Sequence, residues 1–435
     1  MAFPIIGIIA DDLTGAMDSA GAMAAHDLSA EVFLDNRHDL GSATADVICI
    51  NTQSRLMPEP QAIEAVSSAA KLLMSSGCSR FYKKIDSTLR GNVGVELTAM
   101  MAAARKQRAF VCPAFPDRSR TVRNGILEVD GRPLTVSREG NDPFSGVGEA
   151  SVVRLLQTQT KSSVGHLPIG IVDRGAEAVH EKTQNLFADG CDLIVLDAIT
   201  TGHMSTLASV ITQDYPDEIA VGSAGLASAL AKAVGHAQAA KEKSLATGQS
   251  GQFLVINGSL HPASHQQVQE LAASANIALL PMSAVDILRE QGFINAIATQ
   301  VAIWASRAFS RGQHASIYWE DPDSLRALLE GDSADESANK WQVQAIAEFY
   351  RGVLEKLTEQ SKMSGLVVVG GETAYMVARA VQARSVLVTG EVRPGIPVGR
   401  LVGGLAAERL LVTKAGGFGG PTALVEVIEY LKAES

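Results

Sequence analysis

The sequence predicts an α/β protein of two domains, each with a mainly parallel sheet flanked by helices. Three observations lead there. Apolar strand-like runs alternate with helical patterns along the chain, which is the signature of parallel sheets covered by helices. At 435 residues the chain exceeds the size at which single hydrophobic cores stop growing. A polar stretch without a buried pattern occupies residues 236–250 and reads as a linker. The domains expected are therefore 1–235 and 251–435.

Taken in order, strands are expected in the first half at residues 4–10, 30–34, 47–51, 81–85, 109–113, 169–173 and 193–196, with helical patterns at 60–75 and 95–105. The first strand ends in Asp11-Asp12, and Leu13-Thr14-Gly15-Ala16 leads into a helix of small residues. Two adjacent acids at a strand's C-terminal edge either bind substrate hydroxyls, hold Mg2+ through water, or cap the helix. Arg55 lies just past the strand at 47–51, at a similar edge. Next comes Lys83-Lys84-Ile85-Asp86-Ser87-Thr88-Leu89-Arg90-Gly91, which puts three cations, one carboxylate and two hydroxyls into nine residues on a strand-to-helix turn. Ligands gather at such turns in open α/β sheets. Arginine offers a planar fork to a carboxylate or phosphate, lysine a mobile point charge, and aspartate can orient or deprotonate a hydroxyl. The competing reading is a solvated loop with local salt bridges. Residues 117–143 break the rhythm with an Asn124-Gly125 and an Asp130-Gly131 turn, as expected of a hairpin insertion. Its arginines suit either a flap over the substrate or a soluble surface.

The second half restarts with a strand at 252–256 and a helix at 262–275. Further strands are expected near 316–319, 366–369, 385–389 and 410–413. Asn257-Gly258-Ser259 follows a strand and precedes His261-Pro262, so Ser259 and nearby N–H groups face either a phosphate or the helix they cap. Gly370-Gly371-Glu372-Thr373-Ala374 follows the apolar run 366–369 and precedes a helical pattern at 374–383, which places N–H groups at a helix N-terminus suited to phosphate. Gly390 to Pro397 and Lys414-Ala415-Gly416-Gly417-Phe418-Gly419-Gly420 are two more glycine-rich turns. Any one of them is also explained by tight chain reversal. No G-x-x-x-x-G-K-[ST] stretch is present and no G-x-G-x-x-G follows the first strand, which excludes a P-loop enzyme and argues against a simple dinucleotide-binding dehydrogenase.

A hydrophobic fraction of 46% and 39 glycines fit an α/β enzyme with many strand-helix turns. The net charge of -10 argues against nucleic acid or an anionic membrane as partner, and leaves attraction of anionic substrates to local basic clusters. Four cysteines, at 49, 78, 112 and 191, make no metal-ligand spacing and read as buried thiols in a reducing compartment. His261 and His265 have i, i+4 spacing, but the first precedes proline and reads as a loop residue rather than a metal ligand. The N-terminus shows no basic leader, and no apolar run reaches the ~20 residues that span a bilayer. A cytoplasmic protein is expected.

In combination and order, these motifs resemble the four-carbon acid sugar kinase family over the full length of the chain. The matching pieces are Ile9 to Ala16, Lys83 to Gly91, Asn257-Gly258-Ser259 with Gln267 downstream, Gly370 to Ala374, Pro394 to Pro397, and Lys414 to Gly419. Glu372 stands where the family pattern frequently has Asp, and Ala415 where it frequently has Ser; the latter removes one hydroxyl from a nucleotide contact. The resemblance implies ATP-dependent phosphorylation of the terminal hydroxyl of a C4 sugar acid: threonate, erythronate or a 3-oxo-tetronate. It implies acid-sugar binding by the first domain through Asp11, Arg55, Lys83, Lys84, Ile85, Asp86 and Arg90, with Arg55 on the substrate carboxylate. Nucleotide binding falls to the second domain through Ser259, Gly370, Gly371, Glu372, Thr373, Gly416 and Gly417. The expected mechanism has MgATP and acid sugar meeting in the interdomain cleft, with Asp86 or Asp12 as the base. Metal ligands and oligomeric state are not legible, and a homo-oligomer is compatible with the sequence. Two remoter readings stay open: a nucleotide-dependent α/β oxidoreductase and a non-catalytic sugar-acid sensor.

Overall fold

In the computed structural model, residues 6–37, 40, 43–137, 139–141, 146–235, 251–274, 276–288, 291–330, 336–360 and 363–433 are described. The chain divides into two compact units, Met1–Lys241 and Glu242–Ser435. The linker expected at 236–250 lies outside the described residues.

The first unit carries strands β1 (Ile6–Ala10), β2 (Ala30–Phe33), β3 (Val47–Asn51), β4 (Arg80–Lys84) and β5 (Ala109–Cys112). The excursion β6 (Arg120–Arg123), β7 (Ile126–Val129) and β8 (Arg132–Pro133) follows, then β9 (Val164–Leu167), β10 (Leu193–Leu196) and β11 (Ile219–Gly222). Its main sheet runs β2-β3-β1-β4-β11-β5-β10-β9, with every pairing parallel. The central strands β1, β3, β11, β5 and β10 are buried and mainly apolar, as sheets covered on both faces require, and β4 is buried with Lys83 and Lys84 at its end. From β1 the chain first builds to one side (β2, β3) and then crosses to the other (β4). A crevice opens outside the carboxyl ends of strands where the direction reverses in this way. Helix α1 (Leu13–Ala24), wholly buried, fits against the sheet because seven of its twelve residues are Gly, Ala or Ser. Helices α2 (Glu59–Ser75) and α3 (Val93–Ala104) follow β3 and β4.

The second unit carries β12 (Gln252–Asn257), β13 (Ile277–Met282), β14 (His314–Trp319), β15 (Met363–Val369), β16 (Ser385–Arg393), β17 (Ile396–Val402) and β18 (Leu410–Lys414). Their order is β13-β14-β12-β15-β18-β17-β16. Strands β12 to β15 and β18 pair in parallel, whereas β17 is antiparallel to both neighbours. Its core joins Phe253, Val255, Val367, Val369 and Val412 of the sheet to Val268 and Leu271 of the helix Pro262–Ser274 and to Leu424, Val427 and Leu431 of the last helix.

Most expected elements recur within a residue or two. One is wrong: residues 169–173, read as a strand, form the short helix Ile169–Val172, and the strand lies just before it at β9. A run of four apolar residues does not carry a period long enough to separate strand from helix. Here Asp173 N turns back to Ile169 O, and Ile169 N is taken by the buried Asp197 carboxylate at 2.9 Å. Strands β11, β13 and β17 were not anticipated. Of the cysteines, Cys49, Cys78 and Cys112 are buried free thiols, while Cys191 is half-buried. Among the described residues no helix is long and apolar enough to cross a membrane.

The excursion at β6 to β8 is antiparallel. Asn124 and Gly125 have φ of 52° and 73°, and Asp130 and Gly131 have 50° and 74°, the paired positive values of tight hairpin turns. Asp197, fully buried, accepts from Asn124 N (2.6 Å), Gly125 N (2.8 Å) and Ile169 N (2.9 Å), and pairs with His166 Nε2 at 2.9 Å. One carboxylate thus holds the first hairpin turn and the start of the Ile169–Val172 helix. Asp197→Ala strands those N–H groups, and a loss of about 3 kcal/mol or more is expected in denaturant unfolding. Arg132→Ala, on the exposed strand β8 of the second hairpin, should change stability by less than about 0.5 kcal/mol.

Candidate active site

Two polar clusters stand at the carboxyl ends of parallel strands, one in each unit. In the first unit, Ala10 is in register with Asn51 of β3 and Lys84 of β4, so the turns that leave these three strands converge. Asp11 and Asp12 leave β1, Arg55 leaves β3, Lys83 and Lys84 end β4, and Ile85 to Arg90 leave it. Asp12 caps α1, its Oδ1 accepting from Gly15 N at 2.8 Å, while its Oδ2 takes Arg55 Nη1 at 2.7 Å. Arg55 also grips Asp11 with two bonds, Nε to Oδ2 at 3.0 Å and Nη2 to Oδ1 at 2.9 Å. Asp11 and Asp12 are buried, and the Arg55 side chain is 15% exposed.

The loop after β4 closes around Arg55. Asp86 accepts from Thr88 Oγ1 and from the Arg90 guanidinium, whose Nη2 lies 2.9 Å from Oδ1. Leu89 adopts a positive φ of 61° and Gly91 one of 93°. A Cβ on Gly91 would come within 2.8 Å of the Arg55 carbonyl, so only glycine lets this loop pass so close. Ile85 is buried; its N–H bonds to Gly222 O at 2.9 Å and its carbonyl receives Lys84 Nζ at 2.8 Å. A Cβ at Gly15 would meet Lys84 Nζ at 2.7 Å, which seats the Lys84 ammonium beside the first turn of α1. Lys83, fully buried, donates to Lys84 O at 3.0 Å and pairs with Glu96 Oε2 at 2.8 Å.

The charges set the titration of the cluster. Burial pushes the Asp11 carboxyl up, but Arg55, Lys83 and Lys84 outweigh it and hold it below the ordinary aspartate value of 3.8. Burial likewise opposes ionisation of Asp86, and Arg90, Arg55 and Thr88 hold it well below that value. Arg55 is held more firmly protonated by Asp11, Asp12 and Asp86 against its own burial. Glu96 goes the other way: burial raises it, and Lys83 compensates only in part. Glu96 escaped the sequence reading because it belongs to a helix, not a turn. The available signal was a lone carboxylate in the apolar run Val93–Ala104, since acids are seldom fully buried without a partner.

In the second unit, β12, β15 and β18 are neighbours, and Asn257 to Ser259, Gly370 to Thr373 and Ala415 to Gly420 leave their ends. Gly258 N bonds to Val369 O at 3.1 Å and Gly370 N to Lys414 O at 2.9 Å, tying the three turns together. A Cβ on Gly416 would lie 1.9 Å from Ser259 Oγ, and one on Gly258 would lie 2.1 Å from Thr373 Oγ1. The turns therefore bring Ser259, Gly370, Gly371, Thr373, Gly416 and Gly417 into one glycine-lined surface, with Glu372 exposed in the first turn of the helix Gly371–Ala380. Lys414 and Gln267, quoted in the sequence only as parts of motifs, build this surface from behind. Lys414 Nζ donates to the carbonyls of Ala415 (2.9 Å), Gly416 (3.3 Å) and Phe418 (2.8 Å). Gln267 Nε2 donates to Phe418, Gly419 and Gly420 at 3.0, 3.2 and 3.0 Å. Drawing successive carbonyls to one side turns peptide N–H groups to the other, the arrangement that accepts anions. Among the described residues no group of three or more His, Cys, Asp or Glu could hold a metal ion.

Residues 6–230 match the family model described as a sugar-binding N-terminal domain, and residues 254–424 the one described as a nucleotide-binding C-terminal domain. A D-threonate kinase of Bordetella bronchiseptica is 30% identical, with 99% of this chain and 98% of that one covered. A 3-oxo-tetronate kinase of Brucella melitensis is 28% identical, with 95% and 93% covered. A D-threonate kinase of Salmonella typhimurium is also 28% identical, with 98% of each covered. A crystal structure of a Salmonella typhimurium protein superposes with a TM-score of 0.83 at 25% identity, covering 97% of this chain and 98% of the other.

Removing Arg55 takes from the buried Asp11 carboxylate both of its guanidinium bonds and the strongest of the charges that offset its burial, so Arg55→Ala should destabilise the protein by about 3 kcal/mol or more at neutral pH. The sign with pH follows from the carboxyl. With Arg55 present its depressed value favours the folded state above an ordinary pKa of about 3.9, and that contribution is lost as pH falls further. In the variant burial dominates and protonation relieves the fold. The stability gap between wild type and variant should therefore narrow as pH falls through about 4, which chemical denaturation at pH 7 and at pH 4 measures.

Proposed function

The chain belongs to the four-carbon acid sugar kinase family, and we propose that it is an ATP-dependent kinase phosphorylating the terminal 4-hydroxyl of a four-carbon acid sugar such as D-threonate or D-erythronate. The observation that carries this reading is the set Arg55, Lys83, Lys84 and Arg90, the lysines buried and the arginines partly so, in the half of the chain that matches a sugar-binding domain. A neutral sugar is bound by neutral hydrogen-bonding groups; guanidinium and ammonium groups gathered at a strand edge suit a carboxylate. A 3-oxo-tetronate is the second acceptor to consider, because relatives of both names match this chain at similar identity.

In this reading Asp11, Arg55, Lys83, Lys84, Ile85, Asp86 and Arg90 form the acid-sugar site. Arg55 has two N–H bonds left beyond the three spent on Asp11 and Asp12, and Lys84 supplies the ammonium. Asp11 and Asp12 are held by Arg55, which leaves them as orienting groups rather than metal ligands. The nucleotide belongs to Ser259, Gly370, Gly371, Glu372, Thr373, Gly416 and Gly417, where turns packed too closely to admit side chains at Gly258 and Gly416 leave peptide N–H groups to meet phosphate or ribose. ATP supplies the γ-phosphoryl group, and Mg2+ accompanies its phosphates. Glu372, an acid at a helix N-terminus, meets those phosphates only through a cation, since two anions there repel. A cytoplasmic location, where ATP is available, is part of the proposal.

Phosphoryl transfer depends mainly on alignment and charge neutralisation, with the hydroxyl proton leaving late. Asp86 serves as the acceptor of that proton, and Asp12 as the alternative. Asp86 is a weak base because Arg90 and Arg55 stabilise its anion, so its contribution is modest on the Brønsted scale.

ADP release from MgATP with D- and L-threonate, D- and L-erythronate and the 3-oxo acids tests the assignment. Turnover with one acid is expected. ATP binding without turnover on any of them would favour a sensor, and hydride transfer to a nicotinamide would favour an oxidoreductase. Asp86→Asn should lower kcat by about 100-fold while shifting ATP affinity much less; equal losses would remove Asp86 from the role. Any acid limb of kcat due to Asp86 should lie below the ordinary aspartate value of 3.8.

A further inference from the structure

Within the acid-sugar cluster, four cations (Arg55, Lys83, Lys84, Arg90) face four carboxylates (Asp11, Asp12, Asp86, Glu96). Fully ionised, this set is neutral before any substrate enters. Among the described residues Arg55, Lys83 and Arg90 each have a carboxylate partner, and Lys84 Nζ bonds to a carbonyl. A sugar acid adds one negative charge to a site whose walls are buried, and an unbalanced charge in such surroundings is costly.

The four carboxylates are not equally committed. Asp11 receives two N–H bonds from Arg55, Asp12 receives Gly15 N and Arg55 Nη1, and Asp86 receives Thr88 and the Arg90 fork. Glu96, 2% exposed, has Oε2 on Lys83, while its Oε1 is buried with no hydrogen-bond partner. The groups that face it are the Lys83 ammonium from β4 and the Ser54 hydroxyl from the turn after β3, which favour the carboxylate, and the Asp11 carboxylate from the turn after β1, which opposes it; burial outweighs the first two. A bare anionic oxygen loses little when it is protonated, and becomes a donor by it.

We infer that Glu96 takes up a proton from solvent when the sugar acid binds, so that the substrate carboxylate enters a site that stays neutral. The inference rests on the reading of the first unit as the acid-sugar site. The step is balanced: one proton leaves the buffer, one O–H bond forms on Glu96, and the Lys83 ammonium, freed of its full ion pair, becomes available to the incoming anion. Glu96 is thus a positioning residue that acts through Lys83. Burial and Asp11 both raise its carboxyl, in keeping with this role.

Calorimetric titration of the full chain with the acid that supports ADP release, without nucleotide or Mg2+, in HEPES and in Tris at one pH tests the inference. The heats should differ by the buffers' ionisation enthalpies multiplied by about one proton taken up per acid bound. Affinity should weaken as pH rises, by up to about tenfold per pH unit once Glu96 is ionised in the free protein. Glu96→Gln should bind the acid with no proton uptake and no such pH dependence, while Glu96→Asp should retain the uptake. Equal wild-type heats in the two buffers, or uptake that persists in Glu96→Gln, would overturn the inference while leaving the kinase reading intact. Equal wild-type heats overturn the inference even if Glu96→Gln fails to fold, and Glu96→Asp, expected to retain the uptake, is then the second variant. Failure of every acid to bind or to release ADP would instead overturn the kinase reading, and the inference with it.

Discussion

The buried contact between Arg55 and the paired carboxylates Asp11 and Asp12 is the constraint on which the rest of the first unit depends. It joins the turn after β3 to the turn after β1, and its two-bond geometry with Asp11 fixes distance and plane together. Everything around it is shaped to permit it. Gly91 keeps a side chain out of the Arg55 carbonyl, Gly15 leaves room for the Lys84 ammonium, and Asp12 divides its oxygens between the helix and the guanidinium. Ion pairs taken out of water are at best nearly neutral for stability. Arg55, Lys83 and Arg90 held in such pairs, with the Lys84 ammonium on a carbonyl beside them, are therefore better explained by what they bind than by what they stabilise.

The second unit solves a different problem with different means. Three strand ends deliver turns so closely packed that side chains are excluded at Gly258 and Gly416. The surface is then made of backbone, and its polarity has to be set by orientation. Lys414 and Gln267 do this by collecting carbonyls on the buried side. Neither residue need touch a nucleotide to matter for it. In the proposed function, acid-sugar recognition by side-chain charge and phosphate recognition by backbone N–H groups follow from the chemistry of each ligand: a carboxylate matches the guanidinium fork, and a phosphate matches a helix N-terminus or a concavity of peptide N–H groups.

Much of this was legible in the sequence because it depends on local patterns. Parallel strands buried on both faces read as apolar runs, and the residues just past them carry the polar motifs, so the turns after β1, β3, β4, β12, β15 and β18 could all be located. What could not be read was decided by packing. Ile169–Val172 became a helix because Asp197, far along the chain, takes its first N–H. Strand β17 runs antiparallel between β16 and β18, a pairing that no local period announces. Glu96 is the instructive case at the site. It lies one helical turn inside α3, away from every motif, and only the fold brings it to Lys83. Contacts within a turn are encoded by neighbours in sequence; contacts between a helix interior and a strand are not.

The most direct test of the account is a crystal structure of the full chain with the C4 acid that supports ADP release. The acid's carboxylate and hydroxyls are expected within hydrogen-bonding distance of Arg55, Lys84 and the Asp86 to Arg90 loop, with Arg55 still paired to Asp11. An acid bound elsewhere, with the Arg55, Lys83 and Arg90 ion pairs unchanged and nothing in contact with Lys84, would contradict it and return the cluster to a structural role.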